Sequence, residues 1–171
     1  MKKILVLFVF SLILIGCNSG NKRTTKLSQL IPDNSIIILK ISDLESFKSD
    51  IKNNDFVNTI LKNEDDLFDS DLLNTIQTVN KVLYCVSEIN NIKHTSIITK
   101  YNDSLLKTLT NSTSFYTKII DSIYVVSTSE SIINAINPKE NLSFETLNKT
   151  TNDNASFSLF LNKKSSNSLG K

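Results

Sequence analysis

The chain has 171 residues, 40% of them hydrophobic, and a formal charge of +2 from 19 basic and 17 acidic side chains. That near balance, with lysines scattered at 40, 62, 81, 100 and 118, excludes a nucleic-acid or strongly charged partner. Three glycines, at 16, 20 and 170, exclude a glycine-rich phosphate cradle, and two cysteines exclude a disulfide framework.

Met1-Lys2-Lys3 is a short positive head, and Ile4–Ile15 is apolar throughout except Ser11. The run is far below the roughly 20 residues that span a bilayer as a helix. A charged head, an apolar stretch and a small-residue exit describe a secretory signal peptide. Its exit, Leu14-Ile15-Gly16-Cys17, resembles the lipobox of bacterial lipoproteins. The resemblance implies diacylglyceryl attachment to the Cys17 thiol, cleavage between Gly16 and Cys17, and acylation of the new amine by chains such as palmitate. Plain secretion and an uncleaved anchor are the competing readings. Two or more acyl chains hold a protein durably, at about 0.8 kcal/mol per buried methylene.

The expected organisation follows. Residues 1–16 are the signal helix, and 17–26 are the lipidated cysteine with a polar tether. Residues 27–162 are a single domain, and 163–171 a polar tail. Loss of Lys2 and Lys3 with the leader brings the mature charge close to zero.

Within the domain, Ser35–Ile41 is a continuous β-branched run introduced by Pro32-Asp33-Asn34 and reads as a buried strand. Ser42 with Glu45 fits a capping box, so a helix should start there, with Leu44, Phe47 and Ile51 on its apolar face. Two further helices are expected, around Phe56–Leu61 and Phe68–Val79. "KVLYCVSEI" and "IKHTSIITKY" flank Asn90-Asn91 and read as a hairpin. The first strand is apolar on both faces and should be central; the second alternates less cleanly and should lie nearer an edge. A short helix is expected from Asp103 to Leu109. A second hairpin turns at Asp121-Ser122. Ile132, Ile133 and Ile136 then face inward from a helix over 130–136, which Pro138 follows closely. Ala155–Asn162 is a last strand with Phe157, Leu159 and Leu161 on one side. The order predicts an α+β fold: a mostly antiparallel sheet with helices packed on one face, preceded by a cleaved signal helix.

"LSQLIPDNSIIILKISDLESFKSDI" and "FYTKIIDSIYVVSTSESIINAI" resemble the N-terminal part of Bacteroidota-type envelope proteins of unknown function. Ile31–Asn34 and Ser122–Ile136 carry the likeness. Members of that class are longer, which implies a short member or a truncated fragment. The class has no established catalytic residue to carry over.

Little chemistry offers itself. Glu64, Asp65, Asp66, Asp69 and Asp71 are the densest acidic group, but Leu67-Phe68 interrupts them and no glycine makes a calcium loop. They read as an acidic helix start. Cys85 reads as a small buried hydrophobe, and a catalytic pairing with the lone histidine, His94, as the weaker alternative. A serine nucleophile would have to recruit the same histidine, which has no evident orienting acid. Asn111-Ser112-Thr113 and Asn148-Lys149-Thr150 match N-glycosylation triplets at chance frequency. Asp103-Ser104-Leu105 and Asp121-Ser122-Ile123 resemble an O-glycosylation triplet of Bacteroidota-type exported proteins.

The sequence therefore predicts a membrane-anchored envelope lipoprotein, a non-enzymatic binding or structural module. It predicts no metal, no cofactor, no catalytic residue and no nucleic acid. Its partners are the membrane through Cys17 and an envelope protein or glycan. Its expected place is the outer membrane, facing the periplasm, because no acidic cluster follows Cys17. A lipid-anchored periplasmic hydrolase and a truncated fragment of a longer envelope protein are the alternatives.

Overall fold

The computed structural model describes residues 24–53, 81–101, 115–152 and 154–162. The elements in chain order are a single 3-10 turn (Leu27–Leu30), β1 (Ser35–Ile41), α1 (Leu44–Asn53), β2 (Val82–Ile89), β3 (Ile92–Lys100), β4 (Tyr116–Ile120), β5 (Ile123–Ser127), α2 (Glu130–Ala135), α3 (Leu142–Asn148) and β6 (Phe157–Leu161). The helices expected around 56–61, 68–79 and 103–109 lie outside the described residues, as do the leader, the tether up to Arg23 and the tail from Lys163.

The six strands form one sheet in the order β4-β5-β3-β2-β1-β6, every neighbouring pair antiparallel. With its few helices the domain is α+β, dominated by sheet. Both hairpins turn where expected. Asn90, Asn91, Asp121 and Ser122 all have positive φ, between 46° and 65°. Two consecutive left-handed residues are what a two-residue I′ hairpin needs to match the strands' twist. Asn and Asp tolerate that region because their short polar side chains bond locally.

Alternation along the strands divides the core in two. Tyr84, Val86, Ile97, Tyr124 and Val126 face one way, where Leu44 and Phe47 of α1 cover them together with Phe115 and Phe157. Leu83, Cys85, Ile98, Val125 and Phe160 face the other, under Leu30 and Ile31, Ile132 and Ile133 of α2, and Phe144 of α3. The described helices thus occupy both faces of the sheet, not the one face that the element order suggested. β1 carries a bulge: Ser35 pairs with Ser87 and Ile37 with Val86, leaving Ile36 as the extra residue, so that Ile36 and Ile37 both join the core under α1.

Three local expectations change. The α1 cap is Asp43, whose Oδ1 accepts from Ser46 N at 2.8 Å. Ser42 is held to the sheet instead, its N–H donating to Ser156 O at 2.8 Å. β3 is interior, between β2 and β5, because its polar side chains find partners there: Ser96 Oγ donates to Ser127 Oγ at 3.0 Å, and Thr99 Oγ1 to Lys81 O at 3.0 Å. Finally, α3 is a helix the apolar pattern did not announce. Asn141 caps it, its Oδ1 accepting from Phe144 N at 3.0 Å, and Phe144 is its buried residue.

Candidate functional site

Gly16 and Cys17 lie outside the described residues, so the proposed modification site has no geometry in this structure. The described chain starts at Thr24, and Thr25 Oγ1 donates to Asp121 Oδ2 at 2.5 Å, pinning the start of the domain to the β4–β5 turn.

The sequence candidates for chemistry are separated or sealed. Cys85 is fully buried, and desolvation pushes its thiol from 9.0 up to about 12, against a smaller opposing effect of a hydrogen bond with Ser35. A thiol that stays protonated to such a pH is no nucleophile at neutral pH. His94 pairs with Ser87 across β2 and β3, while Cys85 pairs with Ser96, so His94 and Cys85 are diagonal neighbours on the α2/α3 face. Ser87 is buried and its hydroxyl turns to Ser35 Oγ at 3.3 Å. Ser35 spends its own proton on Pro32 O at 2.8 Å. The Ser–His juxtaposition therefore exists on the ladder, but the serine is committed to a neighbour beneath the surface.

A second set of hydroxyls crosses the sheet a few residues along. Ser127 Oγ accepts from Ser96 Oγ and from Ser129 N at 3.1 Å, and donates to Thr95 O at 2.9 Å. Three bonds on one hydroxyl fix the start of α2 against the ladder. This is structural chemistry, a way to bury serine without cost.

Grooves flank the roof of the α2/α3 face. One, about 560 Å³, lies between α3 and β6, over Ile38, Phe144 and Phe160. Another, about 600 Å³, lies beside α2, over Leu30, Ile89 and Ile132. Ile31, Pro32, Asp33 and Lys139 form the wall between them, and Lys139 pairs with Asp33 at its exposed crest. A smaller groove of about 240 Å³ sits at the end of the sheet near the chain start, with Lys26, Lys40 and Lys81 on its rim. Lys40 Nζ donates there to Asn148 Oδ1 at 2.8 Å, and Glu145 accepts from Ser28 Oγ. The grooves combine apolar residues with polar and charged ones such as Asp33, Lys139 and Glu140 in the first and Lys40 and Glu145 in the smallest.

Among the described residues no cluster of three His, Cys, Asp or Glu side chains could hold a metal. The acidic group at 64–71 lies outside them. Ser122 of one O-glycosylation triplet sits on the exposed β4–β5 turn; Ser104 of the other is outside the described residues. No described helix is long and apolar enough to cross a membrane.

Sequence reasoning missed the exposed apolar surface at α3 and β6, three of whose leucines, Leu142, Leu147 and Leu161, line the groove between them. Leu142 is 72% exposed, Leu147 49%, Leu159 41% and Leu161 62%. The signal was present, since leucines in a short helix and a short strand outnumber what the groove floor uses, but both elements are too short for periodicity to assign a face.

The chain matches no protein-family model, and no curated protein or solved structure is significantly similar to it.

Proposed function

We propose that the protein is a lipid-anchored envelope lipoprotein whose folded part is a non-catalytic binding or structural module. The observation that carries this reading is Leu14-Ile15-Gly16-Cys17 at the end of a charged-then-apolar leader. Cys17 is the attachment point, Gly16–Cys17 the cleavage site, and the periplasmic face of the outer membrane the address. Two features support the module's character. The sole thiol among the described residues is sealed, and His94 has no free serine or thiol beside it on the ladder, since Ser87 is bonded to Ser35 and Cys85 is buried. An envelope protein or glycan is the partner class, with the membrane engaged through the lipid.

The test is acyl labelling of the wild type against Cys17→Ser, followed by intact mass. The proposal expects label on the wild type alone and a mass starting at Cys17. Equal labelling, or a mature chain still carrying residues 1–16, overturns it.

A second reading, a piece of a longer envelope protein, draws support from the exposed leucines of β6. The same mass measurement on protein from its native cells decides it, since a longer chain would weigh more than residues 17–171.

A further inference from the structure

We propose that a second copy of this chain pairs with the first along β6, antiparallel, about a two-fold axis at Leu159, so that one sheet runs through both copies.

The argument starts from which backbone groups point outward. Asn162 N donates to Ile36 O at 2.9 Å, and Ser42 N donates to Ser156 O at 2.8 Å. The even-numbered residues of this segment therefore direct their N–H and C=O groups toward β1. In an extended antiparallel strand the direction alternates, so Phe157, Leu159 and Leu161 direct theirs away from the sheet. Among the described residues nothing pairs with this edge, which ends the sheet.

The strand reads Phe-Ser-Leu-Phe-Leu. It lacks charge, proline and bulge, the devices that keep an edge from pairing. The other edge, β4, is different. It carries Lys118, whose ammonium is drawn to the end of α2 by Ile136 O at 2.8 Å.

The outward residues are three, evenly spaced and centred on Leu159. This decides the occupant. With Leu159 opposite Leu159 of the second copy, Phe157 of each meets Leu161 of the other, and every outward donor has an acceptor. An isologous contact sets residue i against j and j against i, and the residue on the axis against its own copy, so a charge at the axis would repel itself. Here no charged residue meets its like. All three side chains stand on the α1 face, where Leu159 and Leu161 are exposed in the single copy, and the two-fold makes them a continuous apolar ladder. On the opposite face the exposed leucines of α3, Leu142 and Leu147, extend the apolar margin beside the same edge.

The inference stands apart from the lipid anchor and is tested on the full chain in density-matched detergent. Sedimentation equilibrium should give twice the mass of one chain for the wild type and one chain for Leu159→Lys, which puts like charges on the axis. Because Leu159 is partly exposed, that variant should keep its circular dichroism spectrum. Under mild oxidation Leu159→Cys should form a disulfide-linked pair an order of magnitude faster than Thr117→Cys on the exposed β4 edge. A hydrogen-bonded antiparallel pair sets Cα atoms about 5.5 Å apart, within disulfide reach. A monomeric wild type, a dimer that survives Leu159→Lys, equal cross-linking at the two edges, or a cross-link from Leu159→Cys to a chain of different mass would each overturn the proposal.

Discussion

The two faces of the sheet bury hydroxyls differently. On the face under α2 and α3, Ser35, Ser87, Ser96 and Ser127 are buried, and each bonds another side chain or the backbone. On the face under α1, Thr95 Oγ1 and the Tyr124 hydroxyl are buried with no partner among the described residues, and Thr99 Oγ1 alone of the threonines there finds one, at Lys81 O. The residue chemistry is nearly the same; the neighbours differ. A bonded buried hydroxyl contributes about 1 kcal/mol, whereas an orphaned one costs about 1–3 kcal/mol. The first face is thereby specified by polar register as well as by packing, and the second leans more on packing, with the Thr99–Lys81 bond at its end.

The contrast is sharpest where it is broken hardest. Phe160 packs edge-to-face on Phe144 at 4.9 Å between ring centroids and joins β6 to α3. Phe160→Ala should cost about 3–5 kcal/mol in denaturant unfolding, the usual loss for a buried aromatic.

Next comes the thiol. Its folded-state pKa is raised from 9.0 to about 12, so above pH 9 the unfolded chain loses a proton that the folded chain keeps. Stability is full below pH 9 and falls as pH rises toward 12, by up to about 1.4 kcal/mol per pH unit. At pH 11 the wild type should have lost about 2–3 kcal/mol more than Cys85→Ala has, each measured against its own stability at pH 8. Equal alkaline slopes would place the thiol in water.

Ser127→Ala removes the acceptor of Ser96 Oγ and of Ser129 N together, and should cost about 2 kcal/mol. The smallest effect has the opposite sign. Tyr124→Phe deletes an orphan hydroxyl and should raise stability by about 1 kcal/mol. A loss there would mean that the hydroxyl is bonded after all, and the two faces would then be alike.

The same contrast explains what the sequence disclosed. The hairpins were legible because Asn-Asn and Asp-Ser between apolar runs is local chemistry, decided by φ at four residues. The central place of β2 was legible because both its faces are apolar. The interior place of β3 was not, since Thr95, Ser96 and Thr99 look like a solvent-facing pattern until Ser127 and Lys81 arrive from distant parts of the chain. Helix α3 was hidden for the inverse reason: its leucines at 142 and 147 are the exposed residues, so hydrophobic spacing misleads. Cys85 read as buried because the residues around it, Val82 to Val86, are apolar. The grooves were illegible, because the wall of Ile31, Pro32, Asp33 and Lys139 brings together two stretches about a hundred residues apart.

The bulge at Ile36 gives β1 one residue of slack. Elsewhere in these strands, losing a single amino acid turns every later side chain to the wrong side. At this position the ladder already skips a step, since Ser35 and Ile37 pair with the adjacent residues Ser87 and Val86. A chain shortened by Ile36 keeps its inside and outside straight, so this is where the strand can change length by one and still fold.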